Sequence, residues 1–487
     1  MFLSRRCVLH FQIHRGALSF PTRRHSVAAA EIRAHVKPPR LARALRVGSG
    51  SLKLEFQEGG VARFHNIFLR DHCRCPACYH AATAQRLLDT AQLEALPGIR
   101  DASVSPSGDA LLIQWEAGHE SSFSASFLAA HAYWQNEGEA APTSGAPVDV
   151  ARIPETRILW GAANFGARSA LLDRRPFPRL EHRAWMDDDA ALLSGLLLLR
   201  DYGVVLIEGV PATEEATEAA LRRIAHLRPT MYSTSGMWRT EVRPAGAADN
   251  TDTAYTTLAL PAHTDGNYFL EPPGLQAFHA LVADGGGGGD SLLVDGFAVA
   301  EQLRAADAAT FALLSSFPIP YAHTEAATVV RAAHPVLNLG DDGELTAVRF
   351  NNDDRAPLGP LPAMRGAAAR AAVSWGVAGP GGLLEGREVG ANATSRLTAP
   401  TVIPRLYAAL KIFIAALRSP VNEVWLSLQP GTLLIFDNAR VLHGRSALTG
   451  TARVLAGAYV NEDEWRGRLR ALVRSGVAPA RHGHSII

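Results

Sequence analysis

Between residues 47 and 133 short apolar stretches alternate with polar ones, as in Ser51-Leu52-Lys53-Leu54-Glu55-Phe56 and Leu111-Leu112-Ile113-Gln114-Trp115. Side chains two apart share one face of a strand, so this period predicts a small β-rich domain over 47–134. Residues 135–152, rich in Glu, Ala, Pro, Ser and Gly and without period, predict a linker. Further on, 185–201 and 214–227 have helical spacing, and Gly203-Val204-Val205-Leu206-Ile207 between them reads as a buried strand. The helix over 185–201 carries acidic residues at 187–189, where they favour a helix N-terminus. Residues 401–417 predict an amphipathic helix. Strands are expected at 431–436 and 454–459, with a flexible loop at the glycines 285–289, before Ser291. The main domain is set at 153–470 and a tail at 471–487; no repeat of 20–50 residues is visible.

Composition narrows the class. With 487 residues, 47% hydrophobic and 20% charged, the chain has the make-up of a globular protein of two or three domains. Net charge is +1 and no basic stripe lies outside the N-terminus, so a nucleic-acid partner is not expected. The longest apolar run, 190–199, is half the roughly 20 residues needed to cross a bilayer, so no membrane span is expected. Residues 1–40 hold Arg5, Arg6, Arg15, Arg23 and Arg24 with Ser4, Ser19 and Ser26, and no acid before Glu31. That is the make-up of a mitochondrial transit segment, which points to the matrix. Of four cysteines three are clustered, which speaks against a disulfide framework.

Two distant segments carry the chemistry. His263-Thr264-Asp265 places a histidine and a carboxylate on one face of an extended strand, and His443 lies in a later apolar run that leads to Gly444 and Arg445. In a chain with 18 histidines the tripeptide alone is a weak signal. Joined to His443 it forms a 2-His-1-carboxylate set, which holds one face of an octahedral Fe(II) and leaves three positions for a co-substrate and O2. Ten residues after His443, Arg453 opens a strand-like run and could grip the far carboxylate of 2-oxoglutarate. These residues point to an oxygenase. A jelly roll, two facing antiparallel sheets, can bring such strands to one mouth.

A second metal set lies in the small domain. Cys73, Cys75 and Cys78 fall within six residues and, with an imidazole, would close a tetrahedral structural Zn(II) site. Of the nearest later histidines, His80 and His119, His119 is preferred because a ligand from a separate strand ties two parts of the domain together.

Several stretches resemble the γ-butyrobetaine and trimethyllysine dioxygenases, Fe(II)/2-oxoglutarate hydroxylases of carnitine biosynthesis. They are Phe68-Leu69-Arg70-Asp71-His72-Cys73, Leu88-Asp89-Thr90, Arg157-Ile158-Leu159-Trp160, Asp252-Thr253-Ala254-Tyr255-Thr256, His263-Thr264-Asp265, Leu293-Val294-Asp295-Gly296-Phe297, Arg349-Phe350-Asn351-Asn352 and Val441-Leu442-His443-Gly444-Arg445. The resemblance implies a mainly β fold with flanking helices, a double-stranded β-helix (cupin-like) catalytic domain and an N-terminal zinc-binding β domain. It places iron on His263, Asp265 and His443, 2-oxoglutarate on Arg453, and zinc on Cys73, Cys75, Cys78 and His119. It further implies a cage of Tyr232, Trp238, Tyr255 and Tyr459 for a quaternary ammonium. Such a group cannot donate a hydrogen bond and is held by ring faces, each cation–π contact reaching about 2 kcal/mol when desolvated.

Residues 157–160, 253–260 and 70–73 look more like the trimethyllysine branch. The implied reaction is hydroxylation of N6,N6,N6-trimethyllysine at C3, with succinate and CO2 formed and ascorbate as supporting reductant. A homodimer is expected. Hydroxylation of γ-butyrobetaine, oxygenation of another small amine, and a catalytically silent binding or dimerisation module stay open as alternatives. Three features depart from the family pattern: Thr257 in place of a lysine, Ser233-Thr234-Ser235 lengthening the loop between Tyr232 and Trp238, and the glycine run.

Overall fold

The structure is a computed structural model and describes residues 38–133, 157–165, 177–241, 253–283, 288–325, 327–358, 399–448 and 453–480. The expected linker, glycines 285–287 and residues 1–37 of the transit-like segment lie outside the described residues. The chain divides into two compact units, Met1–Pro147 and Val148–Ile487.

In the first unit the period-two pattern becomes two antiparallel three-stranded sheets. One is Leu41–Val47, Ser51–Phe56 and Val61–His65; the other is Ile99–Val104, Ala110–Trp115 and Glu120–Ser124. Leu111, Ile113 and Trp115 point into a core with Leu52, Leu54, Phe64 and Phe123, whereas Leu112 and Gln114 between them face solvent. Burying one face of each strand is what the alternation encodes. After the helix Asn66–Asp71, the Asp71 carboxylate accepts from Arg86 Nη1 at 2.5 Å and Thr90 Oγ1 at 2.9 Å. This joins the 68–73 stretch to 88–90. Two hydrogen bonds outweigh the opposing effect of burial and hold the Asp71 pKa below the usual carboxylate range.

The second unit is built of two facing sheets between layers of helices. The larger runs in the order Met237–Glu241, Arg453–Val460, Leu275–Ala283, Thr432–Asp437, Val204–Glu208, Arg179–Glu181. The smaller runs Leu260–His263, Val441–Arg445, Ser291–Asp295, Val424–Leu426. Every pairing is antiparallel except that of Arg179–Glu181 with Val204–Glu208. Here the strands read as unbroken apolar runs because both faces are covered. Leu434 and Phe436 enter the core between the sheets with Leu293 and Val441. Leu433 and Ile435, one residue off, pack against Leu192, Leu196 and Trp465 of the helices Asp189–Tyr202 and Glu462–Arg474. On the far side Val294 and Leu442 meet Leu406 and Phe413 of the helix Ala399–Leu417.

Helix ends differ from expectation for local reasons. The expected helix over 185–201 is two helices, His182–Asp187 and Asp189–Tyr202, broken at Asp188, whose extended backbone lets its carboxylate cap Ala190 N at 2.8 Å. Asp189–Tyr202 stops at Gly203 with φ of 75°. The helix of the 214–227 segment ends at Arg222. Glu462–Arg474 runs through residue 471, with Leu472 in the same core as Leu469.

One buried ion pair sits where the chain passes from the larger sheet to the smaller. Arg440 and Asp295 are each 1% exposed. Arg440 Nε and Nη2 reach Asp295 Oδ1 and Oδ2 at 3.1 and 2.8 Å, and Nη1 and Nη2 donate to the carbonyls of Asp201 and Ile158 at 2.8 and 2.6 Å. Asp295 also accepts from Trp160 N and caps Phe297 N, both at 3.1 Å. Removing one charge leaves the other buried and unpaired, which costs about 3–5 kcal/mol. Arg440→Met is therefore expected to lower unfolding free energy by that amount in urea titration; a loss below about 1 kcal/mol would show that the pair is dispensable.

Candidate active site and metal centres

His263 ends its strand and lies opposite His443 in the antiparallel register of the smaller sheet, bringing the two rings to 4.2 Å between centroids. Gly444 makes this possible: a Cβ there would stand 2.5 Å from Leu260 O. The strand does not continue to Asp265 as the sequence pattern suggested. Asp265 is set instead by Asn438, whose Oδ1 accepts from Asp265 N at 2.9 Å and whose Nδ2 donates to Asp265 O and Pro273 O, each at 3.0 Å. Thr264 between the two is tied to Phe350 in both directions: Thr264 N donates to Phe350 O, and Phe350 N to Thr264 Oγ1.

Asp265 Oδ1 faces both histidines, 3.2 Å from His263 Nε2 and 3.8 Å from His443 Nε2. Ligand atoms at right angles and about 2.1 Å from a first-row ion lie about 3 Å apart, so the cluster fits a cation with little closing. His263 Nδ1 donates to Pro261 O at 2.7 Å, which turns Nε2 toward Asp265. Burial works against a charge on His263, yet Asp265 raises its pKa to about 9. For Asp265, burial is outweighed by His443, His263 and Tyr459, which hold it well below the carboxylate range. Burial and then His263 push His443 down to about 3, keeping the neutral imidazole that a metal requires. The buried carboxylate thus favours a positive charge at this point.

All the expected site residues of this unit come to one cavity. Its wall includes Tyr232, Trp238, Tyr255, Tyr459, Arg453 and the His263–Asp265–His443 cluster. Trp238 and Tyr459 have ring centroids 5.8 Å apart, and Trp238 lies flat on the larger sheet over Gly457, where a Cβ would come within 2.2 Å of Cη2. Arg453 is half-buried, with Ser291 Oγ, at 3.2 Å, as its one hydrogen-bond partner among the described residues. Burial, and then Arg445 beside it, lower the Arg453 pKa to about 10, with Asp290 acting in the opposite direction, so it stays charged. Thr257 is not among the residues lining the cavity; its carbonyl accepts from Leu448 N at 3.0 Å.

Sequence reasoning missed Tyr268, Gln276 and Asn438. Tyr232 Oη and Tyr268 Oη are 2.5 Å apart, and burial, then Tyr232, raise the Tyr268 pKa. Gln276 was detectable as one polar side chain in the apolar run Leu275-Gln276-Ala277-Phe278. Asn438 sits in a turn, where polar residues are common, and carried no signal.

In the first unit Cys73, Cys75 and Cys78 place their sulfurs 3.3, 3.6 and 3.6 Å from His119 Nε2. Sulfur at about 2.3 Å and nitrogen at about 2.0 Å from a tetrahedral zinc would stand about 3.5 Å apart, so the set fits the ion. His119 stands in the hairpin turn between Ala110–Trp115 and Glu120–Ser124. His80 is exposed, with Nδ1 2.8 Å from Thr83 Oγ1, and is not part of the group.

Comparison with known proteins follows the same division. Residues 175–459 match the taurine catabolism dioxygenase TauD, TfdA family, and residues 44–129 match the gamma-butyrobetaine hydroxylase-like N-terminal family. The mitochondrial trimethyllysine dioxygenase of Mus musculus is 32% identical over 428 residues, covering 86% of this chain and 85% of that one. Its counterpart of Gallus gallus is 32% identical, covering 92% and 93%. The gamma-butyrobetaine dioxygenase of Pseudomonas sp. (strain AK-1) is 30% identical, covering 89% and 96%. The molecule is an enzyme, a dioxygenase that uses Fe(II) and 2-oxoglutarate on a small-molecule substrate. The chain belongs to the TauD, TfdA family, and within it to the trimethyllysine and γ-butyrobetaine dioxygenases.

Asn438→Ala is expected to lower stability by about 1–3 kcal/mol, since a buried amide and two carbonyls lose their partner. It should also weaken metal uptake. Unchanged melting and unchanged metal binding would show that Asp265 holds its place without it.

Proposed function

We propose that this protein hydroxylates N6,N6,N6-trimethyllysine at C3, converting 2-oxoglutarate and O2 to succinate and CO2 in the first step of carnitine biosynthesis. The observation that carries the reading is the wall of aromatic rings, Tyr232, Trp238, Tyr255 and Tyr459, on the same cavity as His263, Asp265 and His443. A trimethylammonium is held by such faces and by little else. Relatives named trimethyllysine dioxygenase, aligned over most of both chains, support the choice of substrate.

His263 Nε2, Asp265 Oδ1 and His443 Nε2 are assigned as the iron ligands. When bound, Fe(II) supplies the coupled oxidation of 2-oxoglutarate and substrate by O2. The chain does the rest. Arg453 receives the distal carboxylate of 2-oxoglutarate on its guanidinium. The cage holds the cationic end of the substrate and thereby sets which carbon lies at the metal. Zinc on Cys73, Cys75, Cys78 and His119 has no open position and is structural. Ascorbate acts outside the protein by keeping the metal reduced. A mitochondrial matrix location and a homodimer complete the reading.

A second reading, γ-butyrobetaine hydroxylation, is favoured by the Pseudomonas relative. In trimethyllysine four bonds separate the target carbon from the quaternary nitrogen, and in γ-butyrobetaine two, so one cage-to-metal spacing cannot serve both equally. Parallel incubations with each compound, Fe(II), 2-oxoglutarate and ascorbate, read by mass spectrometry, should show one added oxygen on trimethyllysine alone with matching succinate. Product from butyrobetaine alone would replace the substrate assignment. Asp265→Ala should abolish succinate formation, and retained turnover would reject the ligand set.

The purified chain should carry one zinc by elemental analysis. Cys75→Ser should lose it and melt at lower temperature; a variant with full zinc would remove Cys75 from the set.

A further inference from the structure

The geometry points to Gln276 as the residue that, with Tyr459, restricts Asp265 to a single ligating oxygen. The inference rests on the proposed role of Asp265 as iron ligand and extends it to a residue with no assigned role. Gln276 and Tyr459 are direct cross-strand partners in the larger sheet and project into the cavity together. Gln276 Nε2 and Tyr459 Oη each donate to Asp265 Oδ2, both at 2.7 Å. The other oxygen, Oδ1, is the one facing His263 and His443. The two carboxylate oxygens thus have separate duties.

The orientation of the amide follows from its surroundings. Gln276 is 1% exposed, and its Oε1 has no partner among the described residues. Flipping the amide would set Oε1 against the Asp265 carboxylate, oxygen to oxygen, so the nitrogen must face it. Rotation of the carboxylate toward two-oxygen ligation would break both hydrogen bonds at once. A one-oxygen aspartate with two histidines leaves three positions of an octahedral ion free, whereas a two-oxygen aspartate leaves two. Gln276 is accordingly a positioning residue that protects the third open position.

Partners of metal ligands of this kind contribute about 10–100-fold to metal affinity. The test is Mn(II) titration of the full-length protein by electron paramagnetic resonance, for the native chain, Gln276→Leu, Gln276→Glu and Asp265→Ala, with succinate and hydroxylated product counted in parallel. Gln276→Leu removes the donor, and Gln276→Glu keeps the shape while substituting an acceptor. Both are expected to bind Mn(II) about 10–100-fold more weakly and to form more succinate than hydroxylated product. Two variants that melt like the native chain, bind within twofold of it and keep a one-to-one product ratio would overturn the assignment. If Asp265→Ala itself binds Mn(II) like the native chain, the iron ligand set falls. Loss in Asp265→Ala alone rejects only the role of Gln276.

Discussion

The turn formed by Asp437, Asn438, Ala439 and Arg440 carries the constraint on which the rest of the catalytic unit depends. It links the strand Thr432–Asp437 of the larger sheet to Val441–Arg445 of the smaller. Arg440 is pinned by Asp295 and two carbonyls, and Asn438 pins Asp265 and Pro273. Its backbone is tied as well, with Asp437 N donating to Gly203 O and Val348 N to Ala439 O. A guanidinium with its charge matched and most of its donors used is tolerable in a dry interior; the same group with its carboxylate missing is not. The path of the chain between the sheets therefore has one well-satisfied solution, and that solution sets His443 beside His263.

On this frame the cavity combines two demands that exclude each other elsewhere in a fold. The His263–Asp265–His443 corner is anionic at heart and calls for a cation, while the wall beyond it is made of rings with little to offer but faces. Tyr459 belongs to both, with its ring against Trp238 and its hydroxyl on Asp265. The ring that would hold the substrate's ammonium is thus tied rigidly to the carboxylate that would hold the metal. Arg453 and Arg445 stand side by side in the same cavity, and Arg445 donates to the carbonyls of Ala254, Thr256 and Leu258, the segment that carries Tyr255.

Much of this was legible in the chain. Alternation in the first unit gave strands buried on one face, and the unbroken apolar runs at 204–207 and 433–436 reported strands covered on both. The metal-binding groups were legible because their residue types are rare in such spacing: three cysteines in six positions, and a histidine and an aspartate two apart before a late histidine. Helix limits were less so, because Asp188 acts as a cap only once the preceding helix has turned the chain.

Short-range chemistry needs only neighbours in sequence, so the sequence by itself determined the strands, the ligand types and the arginine that could take a carboxylate. It could not report which polar groups meet across hundreds of residues. Asn438 reaches Asp265 from 173 positions away, and Arg440 reaches Ile158 from 282. Such contacts depend on how sheets twist and stack, and hydrophobic patterning fixes which face is buried but not what lies opposite. The partition of Asp265's two oxygens and the tie of Asn438 to Asp265 were decided by tertiary structure alone. Each requires two segments to close on each other within hydrogen-bond distance.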